Sequence, residues 1–187
     1  MKRCMTKLWL IAAMLFFAAA PATQADAADF DPPVVAVLDV QRIIAESVAA
    51  ADLRTQVEKY NTSLQEEFKG KENELRSEDE ELKRQATVLA EDKLKEKSQA
   101  LKQKASQVMK EADAARRTLE AAYNRGLKEI EVALNQVVQK IADEGDIDLV
   151  LVKGQVFYVG ADLDITQRSL IALNKKISTV KLQVEKS

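Results

Sequence analysis

The sequence has 187 residues, with 28 Lys and Arg against 30 Asp and Glu, for a net charge of −2. It holds no His and its one Cys is Cys4, so a chain that loses its first residues has neither, which excludes the common zinc sites and catalysis by a His or Cys side chain. The slightly acidic balance excludes a general nucleic-acid binder, which needs a basic surface to neutralise phosphate.

The chain opens with the pattern of a secretory signal peptide. Lys2, Arg3 and Lys7 surround the start of an apolar run from Leu8 to Ala20, and Ala25-Asp26-Ala27 offers a small-x-small cleavage site. A run of about 13 residues is too short to span a bilayer comfortably. No twin-arginine pair is present, so residues 1–27 are expected to direct Sec-type export to the periplasm and then be removed. Cys4 lies before the apolar run, which excludes it as the lipid-modified cysteine of a lipoprotein signal. Loss of Lys2, Arg3, Lys7 and Asp26 takes the net charge from −2 to −4. No disulfide then staples the mature chain, and its stability must come from burial.

Residues 28–42 read as a short leader ending in Pro32-Pro33, then an apolar β-branched run, Val34 to Val40, that suits a buried strand. From Ile43 the period becomes helical. Leu53, Val57, Tyr60, Leu64, Phe68, Leu75 and Leu82 recur at threes, fours and sevens, and Leu53, Leu64 and Leu75 at 11. An 11-residue repeat predicts a nearly straight helix, here over about 43–89. A second apolar series runs from Leu94 through Ala105, Ala115, Leu119, Gly126 and Leu134 to Ile141, predicting a helix over about 91–143 stopped by Gly145. A fold near residue 90 sets residues 66–81 (eight acidic, three basic) beside 98–117 (five basic, two acidic). Opposite signs favour an antiparallel hairpin arm over a single rod.

From Asp146 to Gly160 the sequence DIDLVLVKGQVFYVG predicts two strands turned at Lys153-Gly154. Asp164 is expected to cap a last helix running to about Ser178 or beyond. The fold class is therefore α+β and mostly helical: a small β-rich oligomerisation head (28–42 and 144–187) carrying a long antiparallel coiled-coil hairpin (43–143). The first strand must return to the later pair and form a three-stranded sheet. The last helix covers one sheet face, and nothing remains for the other, so further copies of the chain are expected to cover it. The candidate oligomerisation residues are Val35, Val37, Ile147, Leu149, Leu151 and Phe157. Candidate client contacts on the arm are Tyr60, Phe68, Leu75 and Leu82, which are more often seam residues in such a helix. Asp146 and Asp148 are read as turn and cap residues rather than metal ligands.

The element order, with VAVLDVQRII at its start and DIDLVLVKGQVFYVGADLDITQRSLIALNKKI at its end, resembles the periplasmic Skp (OmpH-like) chaperones of Gram-negative bacteria. The resemblance implies a homotrimer whose helical arms surround a cavity that holds unfolded outer-membrane proteins without ATP or any cofactor. Members of that family are strongly basic. This chain has a pI near 5.5 and a tip surplus of only +2 (Lys83, Arg84, Lys93, Lys95 and Lys97 against Glu91, Asp92 and Glu96), so no lipopolysaccharide site is carried over. Weak contact of the tip lysines with anionic membrane lipid is the remaining partner expectation, against simple solvation. Gly70-Lys71 is not a P-loop, because Gln65 occupies the earlier glycine position and Glu72 follows the lysine. The alternatives are a structural coiled-coil scaffold of the cell envelope, which needs no affinity for unfolded chains, and an enzyme using carboxylates alone.

Overall fold

The computed structural model describes residues 31–185; the expected signal peptide, residues 1–27, lies outside them. Strand β1 (Val35–Leu38) leads into a short helix α1 (Val40–Glu46), the long helices α2 (Val48–Gln85) and α3 (Glu91–Glu144), strand β2 (Leu149–Val152) and helix α4 (Thr166–Lys176). The fold is α+β and mostly helical, with α2 and α3 forming a long antiparallel hairpin. At 1.5 Å per residue, the 38 residues of α2 span roughly 57 Å and the 54 of α3 roughly 81 Å.

The helices carry the chain out and back, so β2 returns in the direction of β1 and the two pair in parallel, Val35 with Leu149 through Leu38 with Val152. Asp148 fixes the start of this register: its carboxylate accepts the Val34 N–H at 2.8 Å and its own N–H reaches the Val34 carbonyl at 2.9 Å. The turn before it is made by Asp146, whose φ of 47° is a left-handed conformation that Asp tolerates. Gly145 caps α3 at a φ of −111°, so the left-handed residue that ends the helix is the aspartate and not the glycine.

Three expectations are corrected. The sheet has two strands, not three. Lys153–Gln155 close as a single 3-10 turn, and Val156 to Val159 form no strand. The chain is drawn instead to the other edge of β1, where Ile165 donates to the Val37 carbonyl at 3.0 Å. The predicted helix over 43–89 is broken at Ser47, whose hydroxyl accepts the Ala50 N–H and caps α2. Asp39 caps α1 in the same way through Arg42, and the turn at the tip takes residues 86–90. The last helix stops at Lys176, and residues 177–185 run back without regular structure over the roots of α2 and α3.

The core lies at the root of the hairpin. Leu38, Ile43, Ala49, Ala50, Leu53, Ile130, Leu134, Leu170 and Leu173 pack together there, and Val180 of the tail joins them. Beyond the root the hairpin holds a constant register: Lys71 meets Glu111, Glu78 meets Lys104 and Gln85 meets Lys97, and each pair of numbers adds to 182. The helices approach closely at Gly126, where a Cβ would lie 2.7 Å from Cδ2 of Leu53, itself fully buried.

Two helical glycines therefore respond oppositely to the same change. A Cβ on Gly70 meets nothing within 4 Å. Gly70→Ala is expected to raise stability by about 0.5–1 kcal/mol through helix propensity. Gly126→Ala is expected to lower it by about 1–2 kcal/mol, because overpacking against Leu53 outweighs that gain. Urea unfolding of both variants at one protein concentration checks the pair of signs.

Candidate functional site

Residues paired across a parallel ladder share a face, so Val35, Val37, Leu149 and Leu151 lie on one side of the sheet and Ala36, Leu38, Val150 and Val152 on the other. Leu38 and Val150 pack into the helical core. Four of the six predicted oligomerisation residues are thus brought together on the face turned away from that core. They are not equally open. Val37 is only 2% exposed within one chain and offers a partner no surface, whereas Leu149 is 47% exposed, with Val35 and Leu151 half-buried. Ile147 is half-buried just before the strand, and Phe157 is fully exposed. Phe157 and Tyr158, which the sequence predicts within the second strand, project instead from an irregular segment, Tyr158 being 83% exposed. Leu163 in the same segment is also open and was missed, having no periodic neighbour to mark it.

Asp164 fastens the end of this segment. It accepts the Thr166 N–H at 2.9 Å and the Lys153 ammonium at 2.9 Å, while the Thr166 hydroxyl accepts the Asp39 N–H at 2.9 Å. The expected cap is displaced by one residue: Ile165 holds the N-cap position without a capping side chain, and Asp164 takes the first N–H of α4 from the residue before it. Hydrogen bonding from the Thr166 side chain, then from Lys153 and the Thr166 N–H, pulls the Asp164 pKa from 3.8 to about 2.

On the arm, Tyr60, Phe68, Leu75 and Leu82 are all half-buried. Lys71 stands in the same row, bonded to Glu111 of α3 and 4.9 Å over the Phe68 ring, and Leu82 lines a shallow groove with Ala100 and Leu101. The row faces α3 and forms the hairpin seam. The exposed apolar side chains of the arm are instead Val48 at the start of α2, Val88 at the turn, and Met109 and Val132 on α3. No helix among the described residues is long and apolar enough to cross a membrane.

The family model described as Outer membrane protein (OmpH-like) matches residues 34–172, from the start of the sheet into α4. The chain belongs to the OmpH-like family. Among solved structures, a candidate outer membrane chaperone (OmpH-like) from Caulobacter crescentus aligns with a TM-score of 0.78 at 20% identity, over 84% of this chain and 94% of that one. The two share a fold. A comparison with curated proteins finds no match.

At the arm tip of this OmpH-like chain, three of the five cations are paired with a carboxylate. Lys83 pairs with Asp79 at 2.5 Å, Arg84 with Glu81, and Lys93 with Glu96 at 2.8 Å, while Lys97 donates to Gln85 at 2.9 Å. Of the five tip cations, Lys95 alone makes no such bond among the described residues.

Because Asp164 has a depressed pKa in the folded chain, the stability it contributes is present above pH 3.8 and is lost as pH falls through about 2. The shift corresponds to about 2 kcal/mol. Asp164→Asn is expected to lower stability near neutral pH by about 1–2 kcal/mol and to flatten the decline between about pH 4 and pH 2. Urea midpoints of the two proteins measured across that range test it.

Proposed function

We propose that this chain is an ATP-independent holdase chaperone of the periplasm. Residues 1–27 direct export and are removed. Residues 28–42 and 144–187 make the head, and residues 43–143 make the arm. Three copies join head to head, and their arms surround a cavity that holds unfolded outer-membrane proteins and keeps them from aggregating. No catalytic group or cofactor takes part.

The observation that supports this reading best is the distribution of open apolar surface. On the head, Leu149, Val152, Phe157, Tyr158 and Leu163 are exposed close to one another along the chain, while the arm surface is charged with isolated apolar side chains. The first pattern suits a surface that other copies cover. The second suits a wall that makes many weak, exchangeable contacts, which a large enclosing surface adds together. With most tip cations bound within the chain, capture by apolar contact and enclosure is favoured over bulk electrostatic attraction.

Native mass spectrometry of residues 28–187, alone and with a urea-unfolded outer-membrane β-barrel protein, tests the proposal. The expected species are a trimer and a complex of one trimer with one client, with client aggregation suppressed at stoichiometric ratio. A monomer that leaves the client to aggregate overturns it. Phe157 is fully exposed in one chain, so Phe157→Ser leaves that chain's fold intact. It is expected to weaken assembly by about tenfold or more, since burying a Phe side chain contributes about 1.5–3 kcal/mol.

A further inference from the structure

The C-terminal tail lies beyond the family match, which ends at residue 172. Its contacts fall on both arm helices at one level. On α2, the Gln56 carboxamide grips the tail main chain at two points: Nε2 donates to the Val180 carbonyl at 2.8 Å, and Oε1 accepts the Leu182 N–H at 2.9 Å. One turn earlier, Asp52 accepts the Thr179 hydroxyl at 2.5 Å and Gln56 Nε2 at 2.8 Å. On α3, Arg125 donates to the Gln183 carbonyl at 2.8 Å and stands 4.0 Å from Glu185. Gln56 and Arg125 face each other in the hairpin register, their numbers adding to 181, next to the Leu53–Gly126 approach. Val180, 3% exposed, anchors the tail in the core, and Ile177 and Leu182 pack against that core.

We infer that residues 177–185 are a strap that binds α2 and α3 together at the root of the arm and sets the arm's stiffness. Farther out the two helices are joined only by a half-buried seam and exposed ion pairs, which resist bending weakly. A segment bonded to both helices at the root prevents them from sliding or splaying where the lever is longest. Three of its bonds read the tail backbone rather than its side chains, so the strap depends on the tail being extended and in place. This holds whether or not the arms enclose a client.

Hydrogen exchange of the full chain, of a chain ending at Lys181, and of the Gln56→Leu/Arg125→Met double variant tests the strap. Truncation after Lys181 removes the Leu182, Gln183 and Glu185 contacts and keeps Val180 in the core. Amides of residues 53–60 and 119–127 are expected to exchange about tenfold faster in both altered proteins, with β1 and β2 unchanged. Unchanged exchange at the root overturns the inference. So does a uniform acceleration that includes β1 and β2, because the tail is then only a piece of the common core.

Discussion

The parallel pairing of β1 with β2 is the constraint on which the molecule depends, because it closes an excursion of 114 residues between Val34 and Asp148. Closing a flexible loop of that length costs entropy that grows only slowly with length, but a flexible loop delivers its ends nowhere in particular. Here the excursion is two stiff helices whose own register returns the chain to its origin. The helices are unequal, 38 residues against 54, and α3 uses its extra length to cross the head. Its fully buried residues begin at Leu119 and continue to Ile141, while on α2 only Ala49, Ala50 and Leu53 are fully buried. Stability is therefore concentrated at the root, and the outer arm has shape without depth.

Much of this was legible in the residues. The hairpin follows from apolar period and from the tip break near Ala90, and the face carrying Val35, Val37, Leu149 and Leu151 follows from strand alternation alone. The misses have physical causes. Ser47 sits inside an uninterrupted helical period, and only its buried capping role separates α1 from α2. Val156 to Val159 have strand-forming side chains, but composition carries no information about which sheet edge the chain will reach. The Lys153–Asp164 pair and the bond from the Thr166 N–H to Asp164 lead it past β2 to β1. That detour also shields Val37, which is why the open surface lies on β2 and the segment after it rather than across the whole sheet. In the tail, Val180, Leu182 and Val184 alternate as an extended segment would, yet Ile177 continues the helical period of α4 and masks the change.

Charge shows how a correct prediction can rest on a looser basis than it suggests. The hairpin was inferred from an acidic α2 opposite a basic α3. Two ion pairs cross the outer arm, and they run in opposite senses: Glu78 of α2 with Lys104, and Lys71 of α2 with Glu111. Three of the four acids from Glu78 to Glu81 pair within α2 instead, with Lys83, Arg76 and Arg84. Exposed pairs of this kind contribute about 0–1 kcal/mol each. They select a register that the apolar seam already permits.

The seam permits more than one. Leu53, Leu64 and Leu75 recur every 11 residues along α2, so its outer portion is nearly self-similar under a shift of that size. The Leu53–Gly126 notch marks which repeat belongs at the root. It works as a keyway, indexing the hairpin from its base. Adding or deleting 11 residues in each helix moves the tip by about 16 Å without rephasing the root, so reach is a dimension that evolution can retune while the head stays the same.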